Sequence, residues 1–253
     1  MKKISIDFIA DSKEFFEFSD RPIPCSSIKP EWLKKIFPYV NDKKSIDSFG
    51  DPTSTIKKCL PVSDAMTCGY FITLPCDVWV HNDNKGNVKL QWAWQKLEMA
   101  SVQRMDQYTG YPIEFGYMKT AFKWINHWIT KTPKGWSCLF IHPMHHDDLP
   151  FKILAGLVDT DKYPIPVHFP FLLKEGFSGI IKKGTPIVQV IPFKRETFTS
   201  KISYDRDSKF KNIWKKVSLE FFDRYMNNFW TKKTYEEGKI SKCPFGFLHK
   251  KDK

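Results

Sequence analysis

The sequence predicts a mainly β protein. Three observations carry that expectation. From Thr67 onward the chain is dense in aromatic and β-branched residues, the types that suit a pleated, half-buried surface. Short apolar runs recur at 122–130, 135–142, 152–158, 167–173 and 186–193, a spacing that suggests a sandwich or barrel. Turn signals separate them: Pro133-Lys134-Gly135, Pro164, Glu175-Gly176 and Lys182-Lys183-Gly184. Composition agrees, since 22 Phe and nine Trp can fill a core while 17 Pro and 12 Gly suit many turns.

The remaining elements follow in chain order. Residues 4–9 alternate apolar and polar side chains, the period of a half-buried strand. Residues 30–37 read as a short helix, with Pro30 in its first turn, Glu31 complementing the dipole and Pro38 stopping it. Residues 42–55 have loop composition. Residues 77–81 and 88–94 form a hairpin across Asn82-Asp83-Asn84-Lys85-Gly86-Asn87, whose Asn, Asp and Gly tolerate left-handed backbone. Residues 95–120 read as a long insertion loop with a short helix. Near the end, Phe210, Ile213, Trp214, Val217, Phe221, Tyr225 and Phe229 keep helical spacing, with Lys211, Lys215 and Lys216 off the stripe. The expectation is a helix docked on the sheet by its apolar face. The alternative is a surface for a membrane or nucleic acid. Beyond Thr231 the chain reads as loose and basic, apart from Cys243-Pro244-Phe245-Gly246-Phe247-Leu248. The expected organisation is a β-rich core with an N-terminal extension over 1–205, and a C-terminal amphipathic helix and basic tail over 206–253, packed on the same domain.

Charge and cysteine usage narrow the partners. A net charge of +12 favours anionic partners: a nucleotide, another small anion, or nucleic acid. No apolar run approaches the roughly 20 residues that span a bilayer, so no membrane partner is expected. Six Cys occur with no Cys-x-x-Cys pair, and Met1-Lys2-Lys3-Ile4-Ser5-Ile6-Asp7 reads as a strand rather than a leader. Reduced thiols in a cytoplasm are expected. No nucleophile elbow, phosphate-binding Gly loop or zinc finger is present in the sequence.

One stretch carries a family likeness. It begins Ile129-Thr130-Lys131-Thr132-Pro133-Lys134-Gly135-Trp136-Ser137-Cys138-Leu139-Phe140-Ile141-His142-Pro143 and continues with Ala155-Gly156-Leu157-Val158-Asp159-Thr160-Asp161-Lys162-Tyr163. It closes on Ile181-Lys182-Lys183-Gly184-Thr185-Pro186-Ile187-Val188-Gln189-Val190-Ile191-Pro192. The order resembles the dUTPase and dCTP deaminase superfamily. That resemblance implies a dUTPase-like β-clip or distorted barrel core and, by fold, a homotrimer. It puts Asp159 in the place of the general base toward a water and Tyr163 under the deoxyribose, with Asp161 beside them. His142, His145, His146, Gln189 and Trp136 become candidate ligand contacts. The sequence departs from the family after Pro143, where Met144-His145-His146 replaces the phosphate-binding Arg-Ser-Gly. The Asp-to-Tyr spacing is one residue longer. The metal-binding Asp of the family's first motif is not in place near Asp64-Ala65-Met66-Thr67-Cys68-Gly69-Tyr70. The whole chain is also similar to an uncharacterised family of tailed-phage proteins, through Ile56-Lys57-Lys58-Cys59-Leu60-Pro61, Lys123-Trp124-Ile125-Asn126-His127-Trp128 and residues 184–196. That implies a host cytoplasm and no particular activity.

Three side-chain sets could carry chemistry. His145-x-Asp147 with a later His168 resembles the iron site of 2-oxoglutarate oxygenases, and imidazole with carboxylate suits iron or zinc. The alternative is a polar loop with its histidines in water. Asp159 and Asp161 would share a strand face and could hold Mg²⁺ beside a phosphate, or cap a turn before Pro164. Among cofactors Mg²⁺ therefore comes ahead of Fe or Zn. Trp92 with Trp94, and Trp124 with Trp128, would each share a strand face for base stacking or for the core. Three functions stay open: a nucleotide- or anion-binding β-clip protein, a metal-dependent enzyme, and a non-enzymatic virion or host-interaction protein.

Overall fold

The computed structural model describes residues 4–40, 54–83, 87–219 and 224–238. The expected Cys243 to Leu248 feature and most of the 42–55 loop lie outside them. The described chain is mainly β, as expected, in four open antiparallel sheets rather than a closed barrel.

The N-terminal strand β1 (Asp7–Ala10) pairs with β8 (Trp128–Lys131) in a two-stranded sheet. Helix α1 (Lys13–Phe18) follows, its N-cap Ser12 hydroxyl accepting the Phe15 N–H at 3.2 Å. Phe15 is buried against Trp128 and Trp94. Helix α2 (Glu31–Lys35) is shorter than expected, and Pro30 is its extended N-cap rather than part of its first turn. Helix α3 (Leu60–Thr67) was not foreseen. It runs into Gly69, whose φ of +80° and 2.1 Å approach of a would-be Cβ to the Val190 carbonyl oxygen leave room only for glycine.

The largest sheet holds five strands in the order β11 (Gly156–Val158), β9 (Trp136–Ile141), β14 (Pro186–Lys194), β3 (Tyr70–Thr73), β2 (Ile23–Pro24). Strand β14 is its spine, paired with β3 through Pro186 to Val190 and with β9 through Gln189 to Lys194. With neighbours on both edges its first five residues are all buried, four of them apolar and the other Gln189, the near-continuous burial of an interior strand. A four-stranded sheet runs β10 (Phe151–Ile153), β12 (Phe169–Lys174), β7 (Tyr117–Trp124), β6 (Ala100–Val102). The expected hairpin forms from β4 (Val78–Asn82) and β5 (Val88–Trp92), and β13 (Gly179–Ile181) joins it.

Two expected strands are each split. The run 122–130 breaks at Asn126, whose side chain bonds the Trp128 N–H, the Trp128 carbonyl and the Val167 carbonyl. These bonds offer the backbone an alternative to the ladder. The run 152–158 divides at Leu154, so β10 joins β12 while β11 joins β9 in another sheet. Strand β7 also begins inside the region expected to be loop. All four sheets contribute to one core, where Trp124 stacks on Phe171 at 4.2 Å between centroids. Trp124 and Trp128 lie on different strands and are both buried, so core packing accounts for them.

Candidate functional site

Asp159 and Asp161 lie in a turn after β11, not on a strand face. The Lys162 and Tyr163 amides both donate to the Asp159 carbonyl, at 2.8 and 2.9 Å. The two carboxylates still converge, on Arg195 at the end of β14. Arg195 donates to both oxygens of Asp161, at 2.8 and 2.5 Å. Its Nη1 also reaches the Trp136 carbonyl, the Ser137 hydroxyl and, at 3.1 Å, Asp159 Oδ1. Asp161 further accepts the Gly135 amide at 2.8 Å, and Ser137 Oγ donates to Asp159 Oδ1 at 2.7 Å. The Arg195 guanidinium, then the Gly135 N–H, hold the Asp161 carboxyl well below the usual carboxylate range. A planar fork matching a carboxylate is what a closing clamp requires. Thr132 and Thr160 share a buried hydroxyl contact of 2.7 Å beneath it, beside Cys138, whose thiol burial pushes up to about 11.

The cluster therefore joins the start of β9, the turn after β11 and the end of β14. Asp161 has 4% of its side chain exposed and is fully engaged. Asp159 and Tyr163 are both over 40% exposed, on the surface of the turn. Trp136 is half-buried, and its carbonyl serves Arg195 and Thr132. Sequence reasoning missed Arg195 and Ser137. The available signal was a rare arginine in a lysine-rich chain, closing a strand.

The histidine loop, residues 142–149, is partly buried and not a wholly solvated loop. His142 Nε2 faces the His146 carbonyl at 3.3 Å, and His146 is 3% exposed with its ring edge-on to Phe71. Burial lowers the pKa of both, that of His142 to about 4. His145 is exposed with φ of 62°, and its carbonyl accepts the Trp32 indole N–H at 2.7 Å. Asp147 is exposed, and its carbonyl accepts Lys174 Nζ. His168 Nδ1 accepts the Asn126 amide, which occupies its lone pair. Among the described residues no three His, Cys, Asp or Glu side chains stand close enough to hold a metal ion, so His145, Asp147 and His168 are not brought together. Gln189, an expected ligand contact, is placed inside the protein. It is fully buried, accepts the Met144 amide at 2.9 Å, and donates to the Ala65 and Cys68 carbonyls at 2.9 and 2.7 Å.

Two surface features remain. A cleft of about 410 Å³ lies along the β4–β5 hairpin, lined by His81, Asn82, Asp83, Asn87, Lys89 and Ser178. The second feature follows β14. The chain leaves the core at Arg195 and carries helices α4 (Lys209–Leu219) and α5 (Arg224–Asn228). Residues 230–236 then return to the core, so the described part of the chain beyond Thr231 is not loose, and the rest of the expected tail lies outside the described residues. Trp230 Nε1 and Lys233 Nζ both donate to Asp64 Oδ2, at 2.8 and 2.6 Å. The Tyr235 hydroxyl meets Cys68 Sγ at 3.1 Å, and the Tyr70 hydroxyl donates to the Glu236 carbonyl. Between Arg195 and Trp230 the described apolar side chains do not dock on the sheet. Phe198 is 83% exposed, Ile202 98% and Phe210 67%, and Ile213 and Phe229 are exposed as well.

Comparison with protein-family models, with curated proteins and with solved structures finds no match.

Proposed function

We propose that this chain is a non-enzymatic interaction protein, a β scaffold that displays an amphipathic arm, described over residues 196–219 and 224–229, tied to the scaffold at both ends. The observation that carries this reading is the pair of ties around exposed apolar side chains. A chain end that merely frays would not return to bond Asp64, Cys68 and Tyr70. Exposed apolar surface on this scale marks an interaction site more often than a neutral surface. The engagement of Asp159 and Asp161 by Arg195 supports the same reading, because it gives both carboxylates a structural task. The likeness to tailed-phage proteins fits a non-enzymatic virion or host-interaction role in a host cytoplasm.

The test is a variant carrying Phe198→Ser, Ile202→Ser, Phe210→Ser and Ile213→Ser. Displayed side chains add nothing to the core, so Tm should stay within about 2 °C of the parent. A fall of about 5 °C or more would mean that they pack on the scaffold in solution, and would end this reading.

A second reading, binding of a nucleotide or other small anion, is favoured by one observation. His81 stands directly opposite Lys89 across β4 and β5, beside the cleft. Melts of the parent with millimolar phosphate or nucleotide decide it, since a ligand that binds only the folded state raises Tm. The dUTPase-like descent of the framework belongs with this second reading.

A further inference from the structure

We infer that the arm is an anchor for an anionic lipid surface, with α4 lying flat in the headgroup layer; this rests on the arm being a displayed surface. Helix α4 has the sequence Lys-Phe-Lys-Asn-Ile-Trp-Lys-Lys-Val-Ser-Leu, with lysines and no acidic residue. Phe210 and Ile213, three apart, share a face, and both are exposed. Lys209 and Lys211 flank Phe210, so their stems can lie along an apolar layer while the ammonium groups stay with phosphates. Tyr225 and Met226 of α5 and Phe229 just after it are exposed too, as is Ile202 on the approach. An interfacial helix needs this combination of apolar face and basic flanks.

Other occupants explain less. Nucleic acid would use the lysines, but phosphates and bases gain little from Ile202, Ile213 or Met226. A second copy of the chain brings another +12 of charge against the same lysines. An anionic bilayer uses both the apolar and the basic groups. The expectation of no membrane partner rested on the lack of a spanning run. No helix of the described residues is long and apolar enough to cross a membrane, and a helix lying in the interface has no need to be. The ties at Arg195 and at Asp64, Cys68 and Tyr70 would then carry the whole β scaffold to that surface.

Sedimentation of the full chain with vesicles tests this. Phosphatidylcholine vesicles are compared with vesicles that also contain phosphatidylglycerol, and a tube without vesicles reports self-association. Binding should appear with the anionic vesicles and weaken with salt. It should fall at least about tenfold in Phe210→Ser/Ile213→Ser and in Lys209→Glu/Lys211→Glu. Thermal melts of both variants confirm that each is folded. Three results overturn the inference: no binding to anionic vesicles, binding that the serine variant leaves unchanged, or pelleting without vesicles. A parallel titration with single-stranded DNA that binds where vesicles do not would assign the arm to nucleic acid. If vesicles fail while the four-serine variant keeps its Tm, the lipid partner is wrong and the displayed arm stands.

Discussion

Arg195 decides what two aspartates do. A carboxylate at a strand end can serve as a general base, but Asp161 here accepts a two-pronged guanidinium and a backbone amide. The histidines show the same influence of surroundings on chemistry. Burial depresses the His142 pKa from its ordinary 6.5 to about 4. The unfolded chain therefore binds more protons between those values, and stability must rise with pH across that window. It is complete above about pH 6.5 and declines toward pH 4, by at most about 3 kcal/mol for this residue. Melts of the parent from pH 4 to 7 should show that slope, and His142→Gln should make it shallower, leaving the part that the buried His146 contributes. An equal slope in both proteins would contradict the burial of His142. Little of this was legible beforehand. Asp159, Asp161 and the histidine cluster could be picked out by type, but their partners could not. Arg195 lies far along the chain from both aspartates, and only folding joins them. Gln189 looked like a ligand contact, because a sequence cannot reveal that Ala65 and Cys68 take both of its N–H donors while its carbonyl oxygen accepts Met144.

At the scale of elements, alternation and turn residues located β4, β5, β9 and β14 well. Gly135 and Gly184 sit at positive φ, as turns require. The breaks were hidden, because an apolar run looks continuous whether or not its backbone changes sheet. Asn126 was the visible clue in one run, a short polar side chain able to bond its own backbone. The C-terminal stripe was legible as helical spacing, but the exposure of its described members Phe210, Ile213, Tyr225 and Phe229 was not, since spacing defines a face and not what the face meets. The return of the chain is held partly at α3 by Asp64, which receives both Trp230 and Lys233, and partly by the Tyr235 and Glu236 contacts. Asp64→Ala removes both bonds. Trypsin should then cut at Lys232 and Lys233 several-fold faster, while core Tm changes little. Unchanged cleavage would show that this tie does not hold the arm.

Across the whole molecule, stability is expected to be uneven. The sheets share a single core of large buried side chains, among them Phe71, Trp124, Phe140, Phe151 and Phe171. Their amides can open only with the whole fold. The arm has helical hydrogen bonds of its own, but its described apolar residues lack comparable burial, so it should open at far lower cost. Native-state hydrogen exchange read by mass spectrometry tests this division most directly. Peptides from β7, β9, β12 and β14 should be protected to the global limit, and peptides from 198–219 should exchange within seconds to minutes. Arm amides as protected as those of β14 would contradict it, because the arm would then be part of the core and not a displayed surface.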